Sequence, residues 1–330
     1  MHPSDSEPLR PHWIASTDPR LRRRKFKDRL ARWVVGAGGF ATIASILAIL
    51  GFITFEVLPL WVPATATEQA RLQLDSGATV LTAVTDEYRD TLQVVAADGT
   101  IRFIGLGDGR EQASFAFPEL NGEEILALAK PDGRNVVVAT PTRLLAASIG
   151  VQVSHVATGR HLEPRVMARG TWPLPEGVHR PRLIGASLPD GDSVTALIVD
   201  AEGQPWLFAM RTEESFLGEV ERTETIRSLQ RPGAEITAVH VDPRGTQAFI
   251  GTRGGRLERW DLNDPAAPAR TDDVAAAVRV GAAITVLEPL IGNQSLVVGD
   301  AAGGVGVWFR VRAASEAQAM RRSHDLPAHT

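Results

Sequence analysis

The pattern of apolar and polar positions divides the chain into one long apolar run and a longer remainder of short alternating runs. Residues 34–55 carry no charge, and the first charged side chain after them is Glu56. The hydrocarbon core of a bilayer is about 30 Å thick and is crossed by a helix of roughly 20 apolar residues. The run therefore predicts a single transmembrane helix over residues 34–60. A buried helix of a soluble core is the alternative, and it rarely lacks charged residues over such a length.

The segment before this run, residues 20–33, is basic and carries Phe26, Leu30 and Trp33 at helical spacing. This spacing predicts a basic amphipathic juxtamembrane helix, and the prolines of residues 1–19 predict a disordered tail. A basic cluster beside a membrane span favours anionic lipid over nucleic acid as its partner. The residues predicted to lie at the membrane interface are Arg22, Arg23, Arg24, Lys25, Lys27, Arg29, Arg32, Trp33 and Trp61.

The same cluster predicts the orientation of the helix. Lys and Arg accumulate on the cytoplasmic side of a span, so the amino terminus is expected in the cytoplasm of a bacterium and the rest of the chain in the periplasm, anchored in the inner membrane. Ala64-Thr65-Ala66 resembles the cleavage site of a signal peptide, which is the competing interpretation. An uncleaved anchor is favoured, because the apolar core of a signal peptide has only about 7–15 residues.

From about residue 70 the chain consists of short β-forming runs that are separated by Gly, Asp and Pro turns. Segments starting at Ile236 and Ile284 both place a tryptophan, Trp260 or Trp308, 24 residues later. Weaker copies start near residues 80, 125 and 194. A period of about 40–50 residues with three or four strands is typical of β-propeller blades. The fold class expected is mainly β, a WD-like β-propeller over residues 68–330 that follows a single transmembrane α-helix.

Two parts of the repeat region do not fit the period. The interval between the copies near 125 and 194 contains a Pro-rich stretch, residues 162–183, which is interpreted as an insertion or a degenerate blade. Residues 321–330 resemble the start of a further blade, so the propeller is expected to be incomplete at its C-terminus, through truncation or through completion by another subunit. The residues predicted as blade signatures are Trp260, Asp261 and Trp308, because a Trp-Asp pair that ends a third strand resembles the WD repeat.

Composition and motifs exclude most chemistry. The chain has no cysteine, so thiol nucleophiles and Cys-ligated metals are excluded. Its histidines form no metal-binding spacing, and His240 is expected to be a packed, blade-bridging residue. The adjacent acids at 123–124, 213–214 and 272–273 would point to opposite faces of a strand. We therefore predict no enzyme activity, catalytic residue, cofactor or metal site; a propeller enzyme such as a periplasmic dehydrogenase is the disfavoured alternative.

Two short motifs flank the apolar run, Lys27-Asp28-Arg29-Leu30 before it and Glu56-Val57-Leu58-Pro59-Leu60 at its end. Together with the WD-like region, they resemble the amino-terminal region of the long-form permease subunit of bacterial phosphate ABC importers. The resemblance implies an extracytoplasmic head for binding and complex assembly. The partners that it implies are the lipid bilayer, other permease helices, an ATPase subunit and a periplasmic binding protein. With one apolar span, these residues are not expected to form the transport path themselves. The alternative is a stand-alone anchored β-propeller that acts as a scaffold or sensor of the bacterial envelope.

Overall fold

The structure is a computed structural model that describes residues 19–58, 79–156, 159–190, 193–214, 220–290, 292–312 and 318–326. The chain divides into two compact units, residues 1–71 and residues 72–330. The first unit contributes one described element, the helix α1 (Pro19–Val57), and the second contributes only β-strands to the described elements.

Helix α1 is one continuous element through both the basic segment and the apolar run, which the sequence analysis had separated at residue 33. Pro19 is its first residue, a position at which the missing N–H costs no helical hydrogen bond. The helix ends at Val57, just before Pro59, because a proline disfavours the helical conformation of the residue that precedes it. Every described side chain from Lys25 to Leu58 is exposed. The helix is long and apolar enough to cross a membrane, a property that a signal sequence shares.

The strands form five four-stranded antiparallel sheets, each in chain order. The first two sheets contain β1 (Val80–Thr85), β2 (Thr91–Ala96), β3 (Thr100–Gly105), β4 (Glu111–Ala116), β5 (Ala127–Ala129), β6 (Asn135–Ala139), β7 (Arg143–Val156) and β8 (Gly159–Pro173). The third and fourth sheets contain β9 (Leu183–Ser187), β10 (Val194–Val199), β11 (Pro205–Glu214), β12 (Val220–Ser228), β13 (Ile236–Val241), β14 (Gln247–Thr252), β15 (Arg256–Asp261) and β16 (Ala269–Ala275). The fifth sheet contains β17 (Ile284–Pro289), β18 (Ser295–Asp300), β19 (Val305–Arg312) and β20 (Gln318–Leu326).

The first strands of consecutive sheets are neighbours, β5 with β9, β9 with β13 and β13 with β17. Side-chain hydrogen bonds reinforce this inner layer: Ser187 Oγ donates to the carbonyl of Pro243 at 2.7 Å, and Thr237 Oγ1 donates to the carbonyl of Ile284 at 2.5 Å. Meander sheets that follow one another around their first strands are the blades of a β-propeller. The predicted fold class is confirmed: the second unit is a β-propeller of five described blades.

Four hydrophobic cores hold the blades together, and each is shared by two consecutive sheets. The core between the first and second sheets includes Phe103, Val138 and Leu145. The core between the fourth and fifth includes Leu257, Leu296 and Trp308. Because a strand in such a stack is covered on both faces, strands such as β10 are buried along their whole length.

Turn residues recur at equivalent places in the blades. In the turn between the second and third strands, the side chain of Asp98, Thr140, Asp200, Thr252 or Asp300 accepts a hydrogen bond from a backbone N–H across the turn. A short polar side chain that bonds to its own turn is the usual reason for Asp and Thr at these positions. At Asp300, burial alone would raise the pKa, but the backbone N–H groups of Arg279, Gly304 and Ala302 lower it below the usual value.

Three expectations about the repeats were wrong. The third blade starts at β9, and Val194 lies in its second strand. Residues 162–173 of the Pro-rich stretch belong to β8, the fourth strand of the second blade, and are neither an insertion nor a degenerate blade. Residues 321–326 belong to β20, the fourth strand of the fifth blade, and do not start a further blade.

Candidate functional site

The candidate site is the end of the propeller that we term the hairpin end. It carries the turns between the first and second strands and the connections between the third and fourth strands of each sheet. An antiparallel meander places these two connections at the same end of its sheet. Three of the third-to-fourth-strand hairpins extend beyond their sheets here, β7–β8, β11–β12 and β19–β20.

The β7–β8 hairpin is the longest of the three. Strand β6 pairs with β7 only as far as Ser148, whereas β7 and β8 stay paired to Val156 and Gly159. The resulting two-stranded ribbon continues over about 25 Å at the rise of an antiparallel strand. Its cross-strand pairs alternate between two faces: the first is apolar and half-buried, with Val151 opposite Pro164 and Val153 opposite Leu162.

The other face of this ribbon is polar and exposed. Gln152 lies opposite Glu163, and Gly150 lies opposite Arg165. Arg165 Nη2 and Glu163 Oε2 are 3.2 Å apart in an exposed ion pair, which contributes little to stability. The ribbon is therefore amphipathic, with a polar face suited to solvent and an apolar face suited to contact with another apolar surface.

A groove of about 250 Å³ lies at the base of this ribbon, between the first and second sheets. Its walls come from the β1–β2 turn with Asp86 and Tyr88, from Arg134 of the β5–β6 turn, and from Ile149 and Val151 of β7. Asp86 is buried, and its Oδ1 accepts hydrogen bonds from the backbone N–H groups of the turn at 2.8 and 2.9 Å. Its Oδ2 is buried with no hydrogen-bond partner among the described atoms. The groove combines an apolar wall with a buried carboxylate, and this combination suits the binding of another molecule.

A second and smaller cavity, of about 30 Å³, lies at the same end between the fourth and fifth sheets. His240 lines it, together with Asp242, Phe249 and Arg310. Burial lowers the pKa of His240 to about 4, against a smaller opposite effect of the Asp242 carboxylate. Its Nε2 is buried and has no hydrogen-bond partner among the described atoms. The imidazole is therefore neutral at pH 7 and packs as an apolar group, with its ring centroid 6.3 Å from that of Phe249.

The predicted blade-signature residues lie in third strands, Trp260 and Asp261 in β15 and Trp308 in β19. Trp260 is buried in the core between the third and fourth sheets, and its Nε1 donates to Glu258 Oε2 at 3.2 Å. Asp261 Oδ1 accepts a hydrogen bond from the backbone N–H of Asn263 at 2.9 Å and so closes the strand. Trp308 is buried in the core between the fourth and fifth sheets. These positions are structural.

A buried ion pair lies beside Trp260. Arg259 Nε donates to Asp272 Oδ2 at 2.6 Å, and both side chains are less than 10% exposed. Asp272 Oδ1 also accepts a hydrogen bond from the backbone N–H of Met320 in the fifth sheet, at 3.1 Å. This carboxylate therefore joins two blades. Its neighbour Asp273 pairs instead with Arg256, on the opposite face of the strand, as expected for adjacent residues.

Among the predicted membrane-interface residues, Lys25, Lys27, Arg29, Arg32 and Trp33 are exposed on α1. The helix backbone includes Arg22, Arg23 and Arg24, whose side chains lie outside the described residues, and Trp61 lies outside them altogether. No group of three or more His, Cys, Asp and Glu side chains in the described part of the chain could hold a metal ion.

No protein-family model and no curated protein matches this sequence. Two solved structures are similar in fold. The β-propeller domain of Cps50 (Swd1) from Myceliophteria thermophila is 15% identical, with a TM-score of 0.48 over 76% of this chain and 72% of that chain. A protein from Bacteroides uniformis assigned as a 6-phosphogluconolactonase is 14% identical, with a TM-score of 0.43 over 74% and 70%. Both TM-scores are below 0.5, so the β-propeller is assigned from the sheet topology above.

Neither the groove nor the ribbon was predicted from the sequence. Asp86 follows an ordinary strand and resembles any turn aspartate, and only its burial distinguishes it. The ribbon did leave a signal, since residues 149–154 alternate between apolar and polar side chains beyond the end of β6. Continuing that alternation across Leu162 and Pro164 would have identified β8.

Proposed function

We propose that this chain is a membrane-anchored propeller whose hairpin end binds other proteins, as the extracytoplasmic head of a phosphate ABC importer permease. On this proposal α1 spans the inner membrane with its amino terminus in the cytoplasm. The head docks the periplasmic binding protein or stabilises the complex, while other permease helices and an ATPase subunit carry out transport.

The observation that carries the proposal is the amphipathic β7–β8 ribbon. Its half-buried apolar face, with Val151 and Val153, continues the wall of the Asp86 groove beyond the sheet. Strand β6 stops pairing at Ser148, so the edge of β7 extends past its neighbour beside that apolar face. A strand edge with alternate side-chain contacts is the usual recognition element for an extended polypeptide segment.

The motifs Lys27-Asp28-Arg29-Leu30 and Glu56-Val57-Leu58-Pro59-Leu60 support the assignment to phosphate import. Charge argues against placing the anion site in the propeller itself. Residues 1–32 carry a net charge of +5 and the rest of the chain −9, so the head repels phosphate at long range. Its role on this proposal is assembly and docking of proteins.

Copurification tests the proposal. The full-length protein is tagged, extracted from membranes in mild detergent, and its partners are identified by mass spectrometry. We expect an ATPase subunit, permease helices and a phosphate-binding protein. If the protein is recovered with envelope-assembly factors instead, phosphate import is wrong and the stand-alone scaffold replaces it.

A matched pair of variants tests the docking surface separately. Val153→Glu places a charge on the apolar face of the ribbon, and Gln152→Glu places the same charge on the polar face one residue away. We expect Val153→Glu to lose the binding protein while retaining the ATPase subunit, and Gln152→Glu to retain both. Equal recovery of the binding protein in the two variants would remove the ribbon from the docking surface.

A further inference from the structure

Each blade has one face that packs on the next sheet along the chain, and we term it the forward face. Its centre consists of two cross-strand pairs between the second and third strands. In the first sheet these pairs are Val95–Ile101 and Gln93–Phe103, and in the second they are Ala139–Leu144 and Val137–Ala146. In the third sheet they are Val199–Pro205 and Leu197–Leu207, and in the fourth they are Gly251–Leu257 and Phe249–Arg259. In the fifth sheet they are Gly299–Val305 and Val297–Val307.

The forward face of the fifth sheet differs from the others in exposure. Every forward-face residue named above is buried in the first four sheets, because the following sheet covers it. All four equivalents in the fifth sheet are only partly buried. The contrast extends to the first strand, where Ala238 is 7% exposed and Val286, 48 positions later at the same place in the repeat, is 50% exposed.

The composition of this face is that of an interface. The exposed outer strands of the blades carry polar residues, as in β12, whose sequence is VERTETIRS. The fifth forward face carries Val286, Val297, Val305 and Val307 instead. Val286 is 50% exposed and the other three are partly buried, and apolar surface that a folded domain leaves accessible is typical of a protein interaction site.

We propose that the forward face of the fifth sheet binds one more four-stranded antiparallel blade, supplied by a partner polypeptide and not by the five described sheets. The four existing interfaces define the chemistry of this partner. In each of them the incoming sheet presents two branched or small apolar residues from its second strand and a large residue from its third. These sets are Val136, Val138 and Leu145; Ala196, Ile198 and Phe208; Ala248, Ile250 and Trp260; and Leu296, Val298 and Trp308.

The described sheets of a second copy do not offer such a surface. In the second to fifth sheets, the face opposite the forward face, which we term the backward face, is already covered by the preceding sheet. On the first sheet, the backward-face residues Val94 and Ile104 are only 3% and 5% exposed. The inference does not depend on phosphate import, because it rests on the five sheets alone.

The absence of native cysteines makes the test specific. Val307→Cys introduces a single cysteine into the full-length protein. Labelling is carried out on native membranes after the outer membrane has been permeabilised. Val298→Cys, on the buried backward face of the same sheet, is the protected control, and Glu202→Cys, at an exposed position in the turn between β10 and β11 of the third sheet, is the reactive control. A maleimide measures accessibility, and a short bismaleimide with mass spectrometry identifies the neighbouring peptide.

In native membranes, we expect Val307→Cys to react with the maleimide as slowly as Val298→Cys does. We also expect it to cross-link to a β-rich peptide from outside residues 1–330. Val307→Asp should abolish the complex, whereas Glu202→Lys, on the third sheet, should not. Labelling of Val307→Cys at the rate of Glu202→Cys overturns the inference. Cross-links to peptides from residues 1–330 also overturn it, since they would show a homodimer or closure of the ring on the first sheet.

Discussion

At the residue scale, the turns of the blades are determined by the chemistry of single side chains. Gly99, Gly203, Gly255 and Gly303 all have φ between +74° and +83° in the turn after the second strand. That conformation is readily adopted only by glycine, and the Asp or Thr three or fewer positions earlier accepts the hydrogen bonds of the same turn. Because these requirements are local, the turns at Asp98-Gly99, Gly254-Gly255 and Gly303-Gly304 could be located from the sequence.

Substitution of Gly255 tests this local requirement. A Cβ at Gly255 would lie 2.8 Å from the carbonyl oxygen of Ala282 and 2.9 Å from the Cβ of Ala277, in addition to the positive φ of 74°. We expect Gly255→Ala to destabilise the propeller by about 1–3 kcal/mol, the usual cost of a strained backbone position. Urea unfolding measures the change. Gly254→Ala is the control, because its Cβ would come no closer than 3.7 Å to any neighbour, and an equal loss of stability in both variants would contradict the argument.

The burial of His240 predicts a specific acid sensitivity. Its pKa is 6.5 in the unfolded chain and about 4 in the fold, so between these values the unfolded state binds the extra proton. Stability should therefore be unaffected above pH 6.5 and fall as the pH drops toward 4, by about 3 kcal/mol in total. His240→Leu should remove this component of the pH profile, with Asp242 and Arg310 left as the charged groups of the cavity.

The control for this prediction is His179→Leu at an exposed position. Unfolding by urea at several pH values between 4 and 7 gives the comparison. His179→Leu should keep the slope of the unaltered protein, and a His240→Leu profile with that same slope would show that another group causes the acid sensitivity.

At the element scale, the sequence showed that a segment is a strand more clearly than it showed which strand of a blade that segment forms. The start of the third blade was misplaced at Val194 because β10 is buried on both faces. Such a strand has a continuous apolar run and no alternation, so nothing local distinguishes a second strand from a first. Strand β8 was missed because Pro164 falls inside it. That proline lies in the fourth strand, at the edge of the sheet, where a missing N–H is tolerated.

The contact of Asp272 with both Arg259 and Met320 predicts that one carboxylate is important for the packing of two blades. Asp272→Ala removes the carboxylate that contacts the buried Arg259 guanidinium at 2.6 Å, and breaking a buried ion pair in this way typically costs about 3–5 kcal/mol. Glu235→Ala breaks two ion pairs, with Arg253 at 2.6 Å and with Arg182 at 3.2 Å, but all three side chains are at least 37% exposed. Each exposed pair should contribute no more than about 1 kcal/mol.

Thermal or urea unfolding compares these two variants. The double variant Arg259→Met/Asp272→Leu should recover most of the stability lost in Asp272→Ala, because it replaces both buried charges with apolar side chains. Equal effects of Asp272→Ala and Glu235→Ala would show that burial does not strengthen the inner pair.

At the scale of the whole molecule, the long apolar run and the approximate repeat period could be recognised in the sequence because both recur over many residues. The contacts between blades could not, since they depend on which faces meet. Phe249 is covered by the fifth sheet, whereas Val297, at the same place in the repeat, is only partly covered. The Asp86 groove depends in the same way on β7 of another blade. The forward face and the groove therefore could not be located from local patterns, whereas the β7–β8 ribbon of the proposed docking surface is visible in the alternation of residues 149–154.

The last prediction concerns the anchor, for which a spanning helix and a signal sequence give different outcomes. A spanning α1 keeps the protein in the membrane pellet after alkaline carbonate, with an intact mass of 35.5 kDa. Ile46→Arg/Ile49→Arg places two charges near the middle of the apolar run, at about 2.5–3.5 kcal/mol each, and should release the protein. Val34→Arg, at the basic end, should not, because an arginine there extends to the interface. A mass reduced by the residues up to about Ala66 would mean that the helix is removed as a signal sequence, and the propeller would then reach its partners unanchored.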